Sequence, residues 1–207
     1  ETNVTTVFVT HDQEEAMSIS DLIVVMKLGE IQQIDEPQRV YDNPVNLFVA
    51  KFLGTPPINV FRGYIKNKAV YIGEEKIMDT KYEDQELFIG IRPEGFVVNP
   101  KGELTCSLRN VEVMGRDKSI VSTHECAVPV ADQKQGEEVI IRSIIDSDTV
   151  LHNDNGKIHF SIKPNKIFLF NAETELRVNV EEEVKEEAVP APKKTTRKKK
   201  VAESEDK

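Results

Sequence analysis

Cysteine is scarce: the 207 residues contain two, Cys106 and Cys126. They form neither a CxxC pair nor a disulfide framework, and they read as two small core side chains in a reducing compartment. Long apolar runs are missing as well. The longest, Leu22 to Met26, has the length of a strand and falls far short of the ~20 residues of a membrane span. No basic segment followed by an apolar one stands at the start, so no secretory signal is visible. Gly-Lys-Ser and Gly-Lys-Thr occur nowhere, which leaves the chain without a phosphate-binding loop of the P-loop kind. Aromatic residues make up 6%. Tyr64, Tyr71, Phe88 and Phe96 lie among acidic neighbours, so the stacking platform on a basic groove that single-stranded nucleic acid needs is not there.

Charge is plentiful, at 30% of residues, with a net of −9. It is unevenly spread. Residues 181–207 hold eight acidic and eight basic side chains, so the whole −9 belongs to residues 1–180. A domain that acidic is a poor partner for nucleic acid or anionic lipid through its general field. The length suffices for one sizeable domain or two small ones.

The patterning divides the chain into three regions. Residues 4–10 are mostly Val, Thr and Phe, as in a strand buried on both faces of a parallel sheet. Asp12 then caps a helix, with Glu15 completing a capping box. Leu22–Met26 and Glu30–Asp35 form a hairpin about Gly29. Pro37 opens a second helix that the pair Asn43-Pro44 interrupts, and Asn46 caps a third ending at Gly54, with Leu47, Phe48, Phe52 and Leu53 on its buried side. Thr55-Pro56-Pro57 marks a boundary. Strands are expected at 58–66, 68–72, 75–79, 87–92, 104–114, 117–123, 125–130, 138–145, 149–152, 157–162 and 166–170, the spacing of a small barrel or sandwich. Within 104–114 the apolar phase slips at Arg109-Asn110, which predicts a bulge. Such strands can close on one another, so residues 57–178 are expected to fold without the segment before them. From about residue 179 the periodicity is gone, and a disordered charged tail is expected. Its run Lys193–Lys200 has six basic side chains in eight. A solubilising role is the plainer reading, and salt-sensitive contact with anionic lipid the functional one.

His11 stands where the first apolar run ends and the carboxylate-rich helix begins. Alone, a histidine there would be structural. Its context is the continuous run Thr10-His-Asp-Gln-Glu-Glu-Ala-Met17, then Asp21-Leu-Ile-Val-Val-Met26, Pro37, Tyr41-Asp-Asn-Pro44, Phe48-Val-Ala-Lys-Phe-Leu-Gly54 and Pro57-Ile-Asn59. These residues resemble the switch-histidine segment of ABC-transporter ATPases and the part of those proteins C-terminal to it. The resemblance implies that His11 senses the γ-phosphate of ATP and helps position the attacking water, as an imidazole can by hydrogen bonding. The glutamate that usually acts as base just upstream in that family is absent, so His11 is a positioner. Gly90-Ile-Arg-Pro-Glu94, Val111-Glu-Val-Met-Gly115, Pro164-Asn-Lys-Ile-Phe-Leu-Phe170 and Thr174-Glu-Leu-Arg177 resemble the regulatory domain of carbohydrate-importer ATPases, the maltose and multiple-sugar type. Ile58, where that family usually has Met, and Gly95, where it often has His, depart from the pattern. Gly115-Arg-Asp-Lys-Ser119 reads as a hairpin turn. His124, His152 and His159 are scattered, without ligand spacing for a metal.

The expectation is therefore an α/β remnant of an ABC ATPase domain (residues 1–54), an all-β OB-like, TOBE-type regulatory barrel (55–178) and a disordered tail (179–207). For the parent, the resemblance implies ATP and Mg as cofactors, a second ATPase copy or paralogue, membrane-spanning permease subunits, indirectly a solute-binding protein, and regulatory proteins on the β domain, at the cytoplasmic face of the membrane. The cargo expected is a sugar; polyamine or another small solute is the nearer alternative. A stand-alone OB-like module for an oxyanion or nucleic acid is the more distant one.

Overall fold

The computed structural model describes residues 4–130, 138–151 and 154–178. The expected strand at 4–10 is not formed. Val4, Val7, Phe8 and Val9 are all exposed, and no described strand runs beside them. A strand of the doubly buried kind needs neighbours on both edges, and the described residues supply none there. Helix α1 spans Gln13–Ile19. Its cap is a three-residue variant of the expected box. Asp12 Oδ1 accepts from Glu15 N at 3.0 Å, while Asp12 N donates to Thr10 Oγ1 at 2.9 Å and the Thr10 hydroxyl turns to the Glu15 carboxylate. Strands β1 (Ile23–Lys27) and β2 (Glu30–Asp35) form the expected hairpin. Leu28 and Gly29 both have positive φ, as a two-residue type I′ turn demands.

Helices α2 (Pro37–Asp42) and α3 (Leu47–Phe52) are each six residues long. Asn46 caps α3 through Val49 N at 2.9 Å. The buried side of α3 differs from the expected one: Leu47, Val49, Ala50 and Leu53 are buried and Phe52 is exposed. The helix lies between two bodies, so a single stripe does not describe it. Val49 and Leu53 pack with Val25 and Val40. Leu47 and Ala50 pack with Ile58, Val60, Phe168 and Phe170 of the β region. Phe48 packs in part against the Val25 side and stacks on the exposed Phe52, ring centroids 5.8 Å apart.

The β region contains β3 (Asn59–Lys66), β4 (Ala69–Ile72), β5 (Glu75–Asp79), β6 (Gln85–Ile91), β7 (Phe96–Val98), β8 (Leu104–Met114), β9 (Asp117–Thr123), β10 (Ala127–Val128), β11 (Ile140–Asp146), β12 (Lys157–Ile162) and β13 (Ile167–Asn171). One sheet runs β13-β6-β3-β4-β5, with β10 on β3; the other runs β11-β9-β8-β12-β7. The expected bulge in β8 is present, where the register against β9 shifts between Leu108 and Asn110. The three-residue β7 was not expected, and residues 149–151 form no strand. Alternate residues of both sheets share one core, including Phe61, Ile89, Phe96, Leu104, Ile120, Ile141 and Phe160.

Two side chains bridge the gaps between the sheets, giving a nearly closed barrel. Asn59 of β3 extends its carboxamide to β11 as a strand would extend a peptide: Nδ2 donates to Arg142 O and Oδ1 accepts from Arg142 N, both at 2.9 Å. Across the opposite gap the Glu75 carboxylate of β5 accepts from Thr105 N of β8 at 3.1 Å. The expected tail beyond residue 179 lies outside the described residues.

Packing continues across Thr55-Pro57. Besides the shared apolar cluster, Leu47 N donates to Glu175 O at 2.9 Å and Arg177 N to Val45 O at 3.1 Å. A fragment of residues 37–178 should therefore melt cooperatively, and one of 57–178 at a clearly lower temperature, because it uncovers Phe168 and Phe170. Losing Leu47 alone costs about 2–5 kcal/mol. Equal melting temperatures for the two fragments would show α2 and α3 to be passengers.

Candidate functional site

His11 sits in the turn between Thr10 and Asp12 with its side chain exposed, and it makes no hydrogen bond to another described residue. Its backbone is nevertheless held. The Thr10–Asp12–Glu15 cap fixes the chain on its C-terminal side, and Met17, two turns on, packs against Val25, Val40, Val49 and Leu53. Gln13 adds a longer-range tie. Its Oε1 accepts from Gly54 N at 2.6 Å, and its Nε2 lies 3.4 Å from Thr55 Oγ1. The imidazole is thus an unengaged donor on an anchored turn. It can hydrogen-bond a phosphoryl oxygen or a water, and it provides one contact only. With no backbone cradle or lysine of P-loop type in this sequence, the residues present do not by themselves make a triphosphate site.

The more elaborate construction lies on the other side of Gly54. Arg92, next to the end of β6, is fully buried. Its Nη1 donates to Ala50 O at 3.0 Å and to Leu53 O, its Nη2 donates to Tyr41 O at 2.8 Å, and its guanidinium carbon lies 3.8 Å from the Tyr41 ring centroid. One planar fork thereby satisfies carbonyls at the C-terminal ends of both α2 and α3. Burial lowers the Arg92 pKa, opposed by the nearby Tyr41, Glu94 and Asp42. The Nε atom finds no partner among the described residues.

Glu94, two residues on, continues the network. Tyr41 Oη donates to its carboxylate at 3.1 Å, and Lys166 Nζ lies 3.2 Å from the same carboxylate and 2.9 Å from Asp42 Oδ1. Burial pushes Tyr41 up to about 12, Glu94 adding to it and Arg92 opposing it. Partial burial works against the Lys166 ammonium, but its bonds to Asp42 and Glu94 outweigh that and leave its pKa raised. Asp42 is also partly buried, which raises its pKa, yet the bonds from Gln38 and Lys166 prevail and lower it. The Arg-Pro-Glu motif is thus a clamp that grips the linker helices. The sequence carried one signal of this: a single cation directly after the apolar run Leu87–Ile91 and directly before a proline.

The remaining candidates stay apart. Gly115 has positive φ and turns β8 into β9 as a hairpin. His124 Nε2 lies 3.6 Å from Glu75, and His159 Nδ1 lies 3.1 Å from Thr105 Oγ1. His152 lies outside the described residues. Among the described residues no group of three or more His, Cys, Asp or Glu is placed to hold a metal ion. Cys106 and Cys126 are free thiols, and burial pushes Cys106 up to about 12.

The clamp leads to two expected outcomes. Arg92→Lys loses the fork, so urea denaturation should show a loss of about 2 kcal/mol or more, with amides of residues 37–53 exchanging before those of the strands. Full stability in that variant would remove Arg92 from its central place. Second, a tyrosine whose folded pKa lies above its unfolded value contributes stability that is complete below about pH 10 and is lost as pH rises through about 12. Raised Lys166 acts in the same direction. Stability should therefore fall from pH 10 upward, and Tyr41→Phe should flatten that fall; an unchanged slope would contradict the assignment.

The chain matches no protein-family model. Individual relatives are clear. A putative ABC transporter ATP-binding protein of Mycoplasma genitalium is 35% identical over 183 residues, 87% of this chain and 29% of that protein. The sn-glycerol-3-phosphate import ATP-binding protein of Roseobacter denitrificans is 31% identical over 83% of this chain and 47% of its own length. The xylose/arabinose import ATP-binding protein of Haloferax volcanii is 33% identical over 83% of this chain and 46% of its own length. The chain thus spans from under a third to about half the length of these relatives. No described helix is long and apolar enough to cross a membrane. Over most of its length, this chain is homologous to ABC transporter ATP-binding proteins.

Proposed function

We propose that this chain is the C-terminal part of the ATP-binding subunit of an ABC importer whose cargo is a sugar. Residues 1–54 would close the nucleotide-binding domain, 55–178 would be an OB-like, TOBE-type regulatory domain, and 179–207 a charged tail. The observation that carries the reading is His11: an exposed, unengaged imidazole on a backbone turn held by its own cap and by Gln13. A relative named for the import of xylose or arabinose supports the sugar cargo, and one named for sn-glycerol-3-phosphate, a phosphorylated polyol, keeps another small solute as the alternative. In the complete protein, ATP with Mg would supply the transferable phosphoryl group. His11 would donate a hydrogen bond toward that group and hold a water, and both roles would matter most as charge develops in the transition state. Partners would be a second ATPase subunit, membrane-spanning permease subunits with their solute-binding protein, and regulatory proteins on the β domain. The place of work would be the cytoplasmic face of the membrane.

The test uses two proteins. This chain alone should neither bind ATP tightly nor turn it over above a His11→Ala control. In the complete protein, His11→Ala should lower kcat on the order of 100-fold and leave KM for ATP nearly unchanged. Turnover by this chain alone, or a variant with raised KM and intact kcat, would refute the assigned role.

A further inference from the structure

We infer that Gln13 is a positioning residue that ties the placement of His11 to the seating of the β barrel on its linker helices; the inference rests on the reading of His11 given above. Gln13 is two residues from His11, and the stretch between them cannot flex freely. Asp12 is held on one side by Thr10 and on the other caps Glu15, so a displacement of Gln13 carries His11 with it. The carboxamide of Gln13 is oriented without ambiguity. Gly54 N can only donate, so the oxygen must face it, at 2.6 Å, and the amino group is left toward Thr55 Oγ1 at 3.4 Å.

Gly54 is no ordinary loop residue. Its φ is +115°, and a Cβ there would stand 3.1 Å from the Tyr41 ring, 3.3 Å from Arg92 Nη1 and 3.4 Å from Pro56 O. The peptide that offers its N–H to Gln13 is the one whose carbonyl, Leu53 O, accepts from Arg92 Nη1, so the clamp and Gln13 grip opposite edges of the same peptide plane. Arg92 in turn holds the carbonyls of Tyr41, Ala50 and Leu53 from its place at the end of β6. The contacts form one continuous chain from barrel to histidine: Arg92 to Gly54, Gly54 to Gln13, and Gln13 through two fixed peptides to His11. A change in how the barrel seats on α2 and α3, such as a bound regulator could impose, would reach His11 through the polar tie of Gln13, beside the apolar contact of Met17 with Val40, Val49 and Leu53. Gln13 acts through the histidine and touches no substrate itself.

An anchor for α1 would produce the same contact without any bearing on the reaction, so the test separates the two. Gln13→Leu removes the acceptor. Gln13→Glu keeps an acceptor for Gly54 N, and the Thr55 hydroxyl can donate to it in place of the lost amide. In this chain, hydrogen exchange at the Gly54 amide should quicken about tenfold in Gln13→Leu and return close to the native rate in Gln13→Glu. In the complete protein, Gln13→Leu should lower kcat on the order of tenfold with KM for ATP within about twofold, and Gln13→Glu should restore most of it. Unchanged Gly54 exchange in Gln13→Leu would overturn the inference. So would faster exchange with native kcat, or a Gln13→Glu variant that recovers exchange and not kcat. A His11→Ala protein with native kcat would instead sink the reading of His11, whatever the Gly54 amide does.

Discussion

A guanidinium removed from water must find acceptors, and the way Arg92 finds them organises much of this molecule. Its three acceptor carbonyls belong to two short helices that have little else to end on. Neither α2 nor α3 reaches two full turns, and isolated helices of that length do not persist in water. Each instead ends against the same cation, and the cation is held in place by them. The arrangement is reciprocal: without the helices the charge would be buried and unpaired, and without the charge the carbonyls would be. Tyr41 adds a ring face on one side of the guanidinium, and Glu94 orients Tyr41 from its hydroxyl end.

Position along the chain explains why this was only partly legible. Features governed by near neighbours could be read. The hairpin about Gly29, the Asn46 cap, and most of the strand limits follow from residues within a few places of one another. So does the bulge at Arg109-Asn110, because a slip of apolar phase leaves no other way to keep both halves of β8 facing the core. Features governed by distant partners could not. Arg92 meets Tyr41, Ala50 and Leu53 across 51, 42 and 39 residues, and nothing in local periodicity records such a meeting. The buried face of α3 misled for the same reason: two bodies claim the helix, Phe48 packs only in part against the hairpin side, and Phe52 is left exposed. Residues 4–10 have the composition of an inner strand, and composition is silent about whether neighbouring strands exist. His11 itself was found by its resemblance to a family, since one histidine at the end of an apolar run carries no chemistry of its own.

The linker helices give the molecule its mechanical character. They share apolar side chains with the hairpin on one side and with the barrel on the other, so α3 works as a gasket between them. Gln33 strengthens this join. Its buried carboxamide donates to Asn43 O at 3.0 Å and accepts from Val45 N at 3.1 Å, fixing the bend between α2 and α3 to the hairpin. Along 23–53 the polar contacts therefore run crosswise between successive elements, which is how segments this short stay ordered.

The barrel's two gaps, closed by Asn59 and Glu75, have a consequence for how the fold can change over time. The main-chain ladder never runs around the whole circumference; at each gap it is interrupted and a single side chain stands in. A residue inserted into one sheet shifts pairing only as far as the nearest gap, because a carboxamide or carboxylate can re-aim where a continuous ladder could not. Each sheet is thus free to lengthen, shorten or acquire loops on its own account. The two halves of the barrel are, in effect, separately editable.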